Sequence, residues 1–277
     1  MPEKRSEPEV IHYSWYCPPG VQDIIANGTA TYVGAVDEFT VLKYPAAPGG
    51  SLQSLEHEYR IYKHIGSHRR ILAAKDFTHQ GLYLERAPNG TIHEYLSEGE
   101  RTVTMQRRAA WVQQLVEAVQ HLHRHNVIHS DLHPTNVLLD SALDVKLADM
   151  QSNLVSEQGE TIWFGERGEP CRYYCPRDDS VLADVQTDMF ALGSTIYFIM
   201  HGYEVFPDII NGEAGWYDKV TSRFERVWTH EPGDRSDRFQ SLRSKDTGLK
   251  SWTEVRRTGQ VFTKDEASDP VQQYEQR

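Results

Sequence analysis

Three polar residues lying near one another along the chain could do chemistry together: Asp131, Asn136 and Asp149. A polar loop, His129 to Asn136, opens into an apolar run, Val137 to Leu139. Asp140 and Ser141 turn the chain, and a second run, Val145 to Ala148, stops at Asp149. Two β-rich runs joined so closely predict an antiparallel hairpin, which sets Asn136 at its entry beside Asp149 at its exit. An amide oxygen and a carboxylate held side by side by backbone pairing, with a second carboxylate at Asp131, make an oxygen-rich cluster. Such a cluster suits Mg²⁺ and a phosphate chain, and so points to phosphoryl transfer.

The flanking elements must position that loop. Upstream, the longest helical pattern runs from Met105 to Arg124, with Thr104 as cap and Trp111, Leu115, Ala118 and Leu122 on one face; it delivers the chain into the loop. A second amphipathic stretch, Ser51 to Ile65, places Leu52, Leu55, Tyr59, Tyr62 and Ile65 at helical spacing, with Ser51 as a cap and Gly66 as a stop. Between Asp23 and Tyr44 the β-branched clusters predict strands and a hairpin, and two further strands are expected over Ile71 to Thr78 and Leu82 to Glu85. Thr91 and Glu94 have capping-box spacing, so a helix starts there. Downstream, a helix apolar nearly all round (Phe190, Leu192, Ile196, Tyr197, Ile199, Met200) stops near Gly202 and belongs in the middle of a lobe.

With 277 residues, 39% of them hydrophobic, the chain can bury a sizeable core as one large domain or two lobes. A net charge of -11 argues against nucleic acid or an anionic membrane as partner, since both require a basic face. The most apolar run, Met189 to Met200, is too short to span a bilayer, and the first residues lack a signal-peptide core. Three cysteines cannot all pair, and no Cys/His pair completes a metal site with Cys171 and Cys175. The expectation is a monomer in the reducing cytoplasm, with access to the nucleus.

His129-Ser130-Asp131-Leu132-His133-Pro134-Thr135-Asn136 resembles the catalytic loop of the eukaryotic-type protein kinases, H-R-D-L-x-x-x-N, and Asp149-Met150-Gln151 stands where that family carries D-F-G. Other family motifs follow in order. Val41-Leu42-Lys43 resembles V-A-I-K. Glu58 matches the helix residue that pairs with the lysine, with Glu56 as its rival. Ala26 to Val33 aligns with the glycine-rich loop, keeping only Gly28 and Val33. Leu84 to Gly90 resembles the hinge, where backbone groups of Glu85 and Ala87 meet adenine. Asp188 to Gly193 resembles D-x-W-S-x-G, and Tyr174-Cys175-Pro176-Arg177 stands where the family reads A-P-E, with a charge reversal at Arg177.

The resemblance covers about Asn27 to Phe206 and implies an α+β, bilobal kinase-like fold: a small β-rich lobe with one long helix, and a larger, mainly helical lobe. The division is a leader over 1–21, a small lobe over 22–86, a large lobe over 87–228 with the hinge at 85–89, and a divergent or disordered tail over 229–277. It also implies ATP and Mg²⁺ as cofactors and a protein substrate. Asp131 would handle the proton of the attacking hydroxyl, Lys43 would hold the phosphates, Glu58 would aim Lys43, and Asn136 and Asp149 would ligate the metal. His133 stands near the γ-phosphate, where protein kinases usually have a lysine, and Gly28 and Val33 would cover the nucleotide.

The activity expected is ATP-dependent transfer to protein serine or threonine. A nucleotide-binding pseudokinase scaffold is the alternative suggested by Met150-Gln151 and the single loop glycine. A small-molecule phosphotransferase of the aminoglycoside or choline kinase type is suggested by His133. The stretch from Gln151 to Pro170 matches a mobile activation segment, with Ser152, Ser156, Thr161, Tyr173 and Tyr174 as phosphate acceptors in and after it. Ser130 replaces the arginine that would pair such a phosphate, with substitution by another basic group such as Arg172 as the alternative.

Overall fold

A computed structural model describes residues 15–28, 30–97, 102–156, 160–165, 168–177 and 182–228. The expected tail and most of the leader lie outside the described residues.

The small lobe is a five-stranded antiparallel sheet in the order β1-β2-β3-β5-β4. Its strands are β1 (Asp23–Asn27), β2 (Thr31–Ala35), β3 (Thr40–Pro45), β4 (Ala74–Thr78) and β5 (Gly81–Glu85). Helix α1 (Gln53–Ile65) packs on it and buries Leu55, Glu58, Ile61, Tyr62 and Ile65. Each fully buried Leu or Ile of that stripe contributes about 2 kcal/mol through removal from water. The helix begins later than the residue types suggested: Leu52 holds the cap position, and the Ser51 hydroxyl only accepts from the Gln53 amide at 3.2 Å. Ile71 is not part of β4. It bridges to Leu147 of the large lobe, and the Leu72 amide donates to the Leu147 carbonyl at 2.9 Å, so this stretch joins the lobes.

The large lobe contains α2 (Ile92–Ser97), α3 (Met105–Arg124), β6 (Val127–Ile128), β7 (Val137–Leu139), β8 (Val145–Leu147), β9 (Asn153–Val155), β10 (Thr161–Trp163), α4 (Val185–His201) and α5 (Trp216–Trp228). The capping box before α2 is complete: Thr91 N donates to Glu94 Oε2 at 2.9 Å, and Glu94 N to Thr91 Oγ1 at 3.0 Å. Thr104 caps α3, whose Trp111 is fully buried and donates its indole N–H to the Leu143 carbonyl at 2.7 Å. Helix α4 is capped by Asp184, ahead of the Asp188 read from the sequence, and ends on Gly202, whose left-handed φ of 82° suits a residue without Cβ. Among the described residues, no helix is long and apolar enough to cross a membrane.

The hairpin has the expected pairing, Val137 opposite Leu147 and Leu139 opposite Val145, but its turn is five residues long, Asp140 to Asp144. Asp140 Oδ1 accepts from the Ala142 and Asp144 amides at 2.9 Å each and closes the turn. The stretch expected as a mobile segment holds two strands: β10 pairs with β9, and β9 with β6.

The tether between α4 and the polar loop is one buried carboxylate. Asp188 is 1% exposed and accepts from the backbone N–H of His129 at 2.8 Å and of Ser130 at 2.9 Å, and from His123 Nε2 at 2.8 Å. Asp188→Ala leaves buried donors unpaired, and the expected loss is about 3 kcal/mol in urea denaturation. A loss within measurement error would show that the tether contributes nothing to folding.

Candidate active site

β3 carries Lys43 toward the cleft, and Val33 lies opposite it on β2. Lys43 Nζ lies 2.8 Å from Glu58 Oε2 and 2.7 Å from Asp149 Oδ1, so one ammonium joins α1 of the small lobe to the end of the hairpin in the large lobe. Glu58, fully buried, is the partner; Glu56 faces outward and pairs with Arg60. The Met150 amide also donates to Glu58 Oε1 at 3.3 Å. Burial works to discharge Lys43, but the two carboxylates outweigh it and hold its pKa above that of an ordinary lysine. Burial likewise opposes ionisation of Asp149, and Lys43 reverses this, so that its pKa is lowered. For Glu58 burial wins over Lys43, and its pKa is raised.

The polar loop turns tightly. Ser130 has φ 65° and Asp149 φ 62°, left-handed values that are rare outside glycine and that hold both flanks of the site in a strained form. His129 Nε2 lies 3.0 Å from the Ala148 carbonyl and fastens loop to hairpin. Asn136 donates its amide nitrogen to the Asp131 carbonyl at 2.8 Å and to its carboxylate at 3.3 Å, which leaves the amide oxygen as the atom able to serve a cation. Asp131 Oδ1 is buried without a hydrogen-bond partner, while His133 Nε2 sits 3.3 Å from it outside bonding geometry. Lys43, Glu58 and Asp149 thus form one set of contacts and Asp131, His133 and Asn136 another, and the two meet where the Ala148 amide donates to the Asn136 carbonyl at 2.9 Å.

The hinge is stitched to the hairpin: Asn89 N donates to Leu139 O, Leu139 N to Gly90 O, and Lys146 Nζ reaches Glu85 Oε2 at 3.0 Å. The Glu85 amide is taken by the Ala73 carbonyl at 2.8 Å. Ala87 lies between β5 and α2, half-buried against the core. Gly28 closes the β1–β2 turn by donating to Thr31 O at 2.8 Å; its neighbour Thr29 lies outside the described residues.

The family description "Protein kinase domain" matches residues 41–252, more than half of the chain. The chain belongs to the protein kinase family. Over 138 residues it is 30% identical to the serine/threonine-protein kinase SIK1 of Mus musculus, covering 48% of this chain and 17% of that protein. Over 173 residues it is 29% identical to the carbon catabolite-derepressing protein kinase of Secale cereale, covering 62% of this chain and 30% of that protein. The chain therefore spans less than a third of the length of these relatives.

Three departures from the family pattern, at positions 150, 151 and 177, are accommodated where they stand. Met150 is fully buried in the main core. Position 151 has no left-handed backbone, so Gln151 does not meet the conformational cost expected of a glycine replacement. Arg177, the reversed charge, is paired with the carboxylate of Glu169, and Arg177 lies 4.5 Å over the Tyr174 ring. An acid eight residues before an unexpected base was the available signal for this pair. Arg172 does not substitute for the missing loop arginine: it is 3% exposed and spends its donors on the Val205 and Ile209 carbonyls and on Asn211. Ser152 and Tyr173, proposed acceptors, are 0% and 3% exposed and so closed to a modifying enzyme in this conformation.

The opposed shifts give a test. Glu58, raised above its ordinary 4.5, contributes stability below that value and loses it as pH rises through its folded pKa. Asp149, lowered from 3.8, contributes above that value and loses its contribution as pH falls through its folded pKa. Glu58→Gln removes the first dependence and leaves the Asp149 carboxylate in place. Urea denaturation of this variant and of wild type should therefore show the variant gaining relative stability from pH 4.5 upward, and a difference independent of pH would contradict the burial of an ionised Glu58.

Proposed function

We propose that this kinase domain transfers the γ-phosphoryl group of ATP to serine or threonine hydroxyls of proteins. The observation that carries the reading is the Lys43 ammonium between Glu58 and Asp149, with the Asp131 carboxylate held by Asn136 at the entry of the same hairpin. Phosphoryl transfer has a loose transition state, so positioning and charge neutralisation supply most of the catalysis.

Lys43 holds the phosphates, and Glu58 keeps it aimed. The Asp131 carboxylate would accept the proton of the attacking hydroxyl, and His133, 3.3 Å from it, would stand where the γ-phosphate binds. Backbone groups of Glu85 and Ala87 would meet adenine, and Gly28 and Val33 would cover the nucleotide. The Asp149 carboxylate and the Asn136 amide oxygen are hard oxygen donors of the kind Mg²⁺ takes, alongside phosphate oxygens. When bound, the metal supplies charge neutralisation across the phosphate chain. Burial of Met150 and the ordinary backbone at Gln151 favour this reading over a scaffold without catalysis. The protein kinases to which it is similar favour a protein acceptor over a small molecule, which His133 alone would suggest.

The roles separate by mutation. Asp131→Ala should retain Mg·ATP affinity within about threefold while phosphate transfer falls by about 10² to 10⁴, the range for losing a general base. Lys43→Met and Asp149→Ala should lose Mg·ATP affinity as well. Isothermal titration with Mg·ATP and transfer of labelled phosphate to dephosphorylated casein measure the two quantities, and unimpaired transfer by all three variants would overturn the site.

A further inference from the structure

The activation segment has lost its usual phosphate anchor. Ser130 stands in the arginine position, is 2% exposed, and donates its hydroxyl to the Ile128 carbonyl at 3.1 Å. Arg172 is committed elsewhere in the large lobe. Yet the segment is tied to α1 at three successive points. The Met150 amide reaches Glu58 Oε1 at 3.3 Å, His57 Nε2 donates to the Ser152 carbonyl at 2.8 Å, and the Trp163 ring meets the His57 ring edge-on at 5.7 Å between centroids. The Arg60 guanidinium, one turn along, lies 5.8 Å over the same indole.

His57 and Arg60 flank Glu58, so whatever holds them sets the rotation of α1 and the aim of Glu58 at Lys43. Trp163 is itself held. It lies on β10, its side chain packs against the main core, and β10 pairs through β9 with β6, immediately before the polar loop. The Gly165 amide donates to Asn153 Oδ1 at 2.7 Å, and a Cβ on Gly165 would fall 1.7 Å from the Gln151 carbonyl, so only glycine lets the chain close behind Trp163.

We propose that Trp163 is a positioning residue that seats the activation segment on α1 and keeps Glu58 on Lys43 without phosphorylation of the segment. The claim rests on the kinase reading above, and its test separates the two. With the full chain treated beforehand with phosphatase, hydrogen exchange is followed over residues 53–65 and at Met150 in wild type, Trp163→Ala and Trp163→Phe, beside Mg·ATP affinity and transfer to dephosphorylated casein. The alanine variant should exchange faster at these sites and lose about tenfold in kcat/KM for ATP, chiefly through KM, while the phenylalanine variant stays within about threefold of wild type. Phosphatase treatment itself should change wild-type transfer less than about twofold. Unchanged exchange in the alanine variant, or equal losses in both variants, would overturn the role of Trp163. A phosphatase-treated wild type that loses transfer yet binds Mg·ATP would show a phosphate-gated segment and overturn it too. Absence of transfer from the untreated chain would overturn the kinase reading, with exchange and Mg·ATP titration still deciding the place of Trp163.

Discussion

A lysine ammonium removed from water needs compensation, and here it comes from two lobes at once. Glu58 is delivered by α1 and Asp149 by the end of the β7–β8 hairpin, both within 2.8 Å of Lys43. Removing one partner of a buried pair leaves an uncompensated charge worth about 3 to 5 kcal/mol, so the arrangement of β3, α1 and the hairpin is enforced by electrostatics as well as by packing. The apolar stripe of α1 can seat that helix against the sheet, but a hydrophobic surface is non-directional. The ion pairs select the rotation at which Glu58, and not the exposed Glu56, points inward.

The second constraint lies on the other side of the cleft. Left-handed backbone at Ser130 and Asp149 costs about 1 to 3 kcal/mol at each residue and persists only where neighbours over-determine it. Asp188 supplies that at Ser130 by taking two consecutive amides, and Lys43 with the His129 imidazole supplies it at the Ala148–Asp149 corner. The strain thus falls on residues adjoining Asp131 and on Asp149 itself. A site bent in this way is already shaped for its ligands, so less ordering remains to be done when they bind.

Features governed by local rules were legible in the sequence. The hairpin, the Thr91–Glu94 cap, the long α3 and the Gly202 stop all depend on residues within a few positions of one another. Their errors were local too, as at the Ser51 cap and in the length of the Asp140–Asp144 turn. The gathering of Lys43 with Asp149 spans 106 positions and leaves no periodic trace; family resemblance alone suggested it. The packing of Trp163 on His57 and the pairing of Arg177 with Glu169 escaped altogether. Both arise in a polar stretch whose strands are three residues long, too short to show alternation.

These unread contacts explain how departures from the family pattern can coexist with an assembled site. A phosphate paired with the loop arginine would anchor the segment through one long-range, charge-assisted contact that an enzyme can add or remove. This chain distributes the anchoring instead over backbone pairing at β9, an aromatic edge at Trp163 and a buried Arg177–Glu169 pair. Burial pushes the Glu169 carboxyl up while Arg177 pulls it down, so each partner offsets the other's removal from water only while the two stay paired. None of these contacts needs a covalent event to form, since each follows from folding of the chain. At Ser130 the hydroxyl is buried and given to the Ile128 carbonyl, and the bias toward the seated arrangement is built into the fold itself.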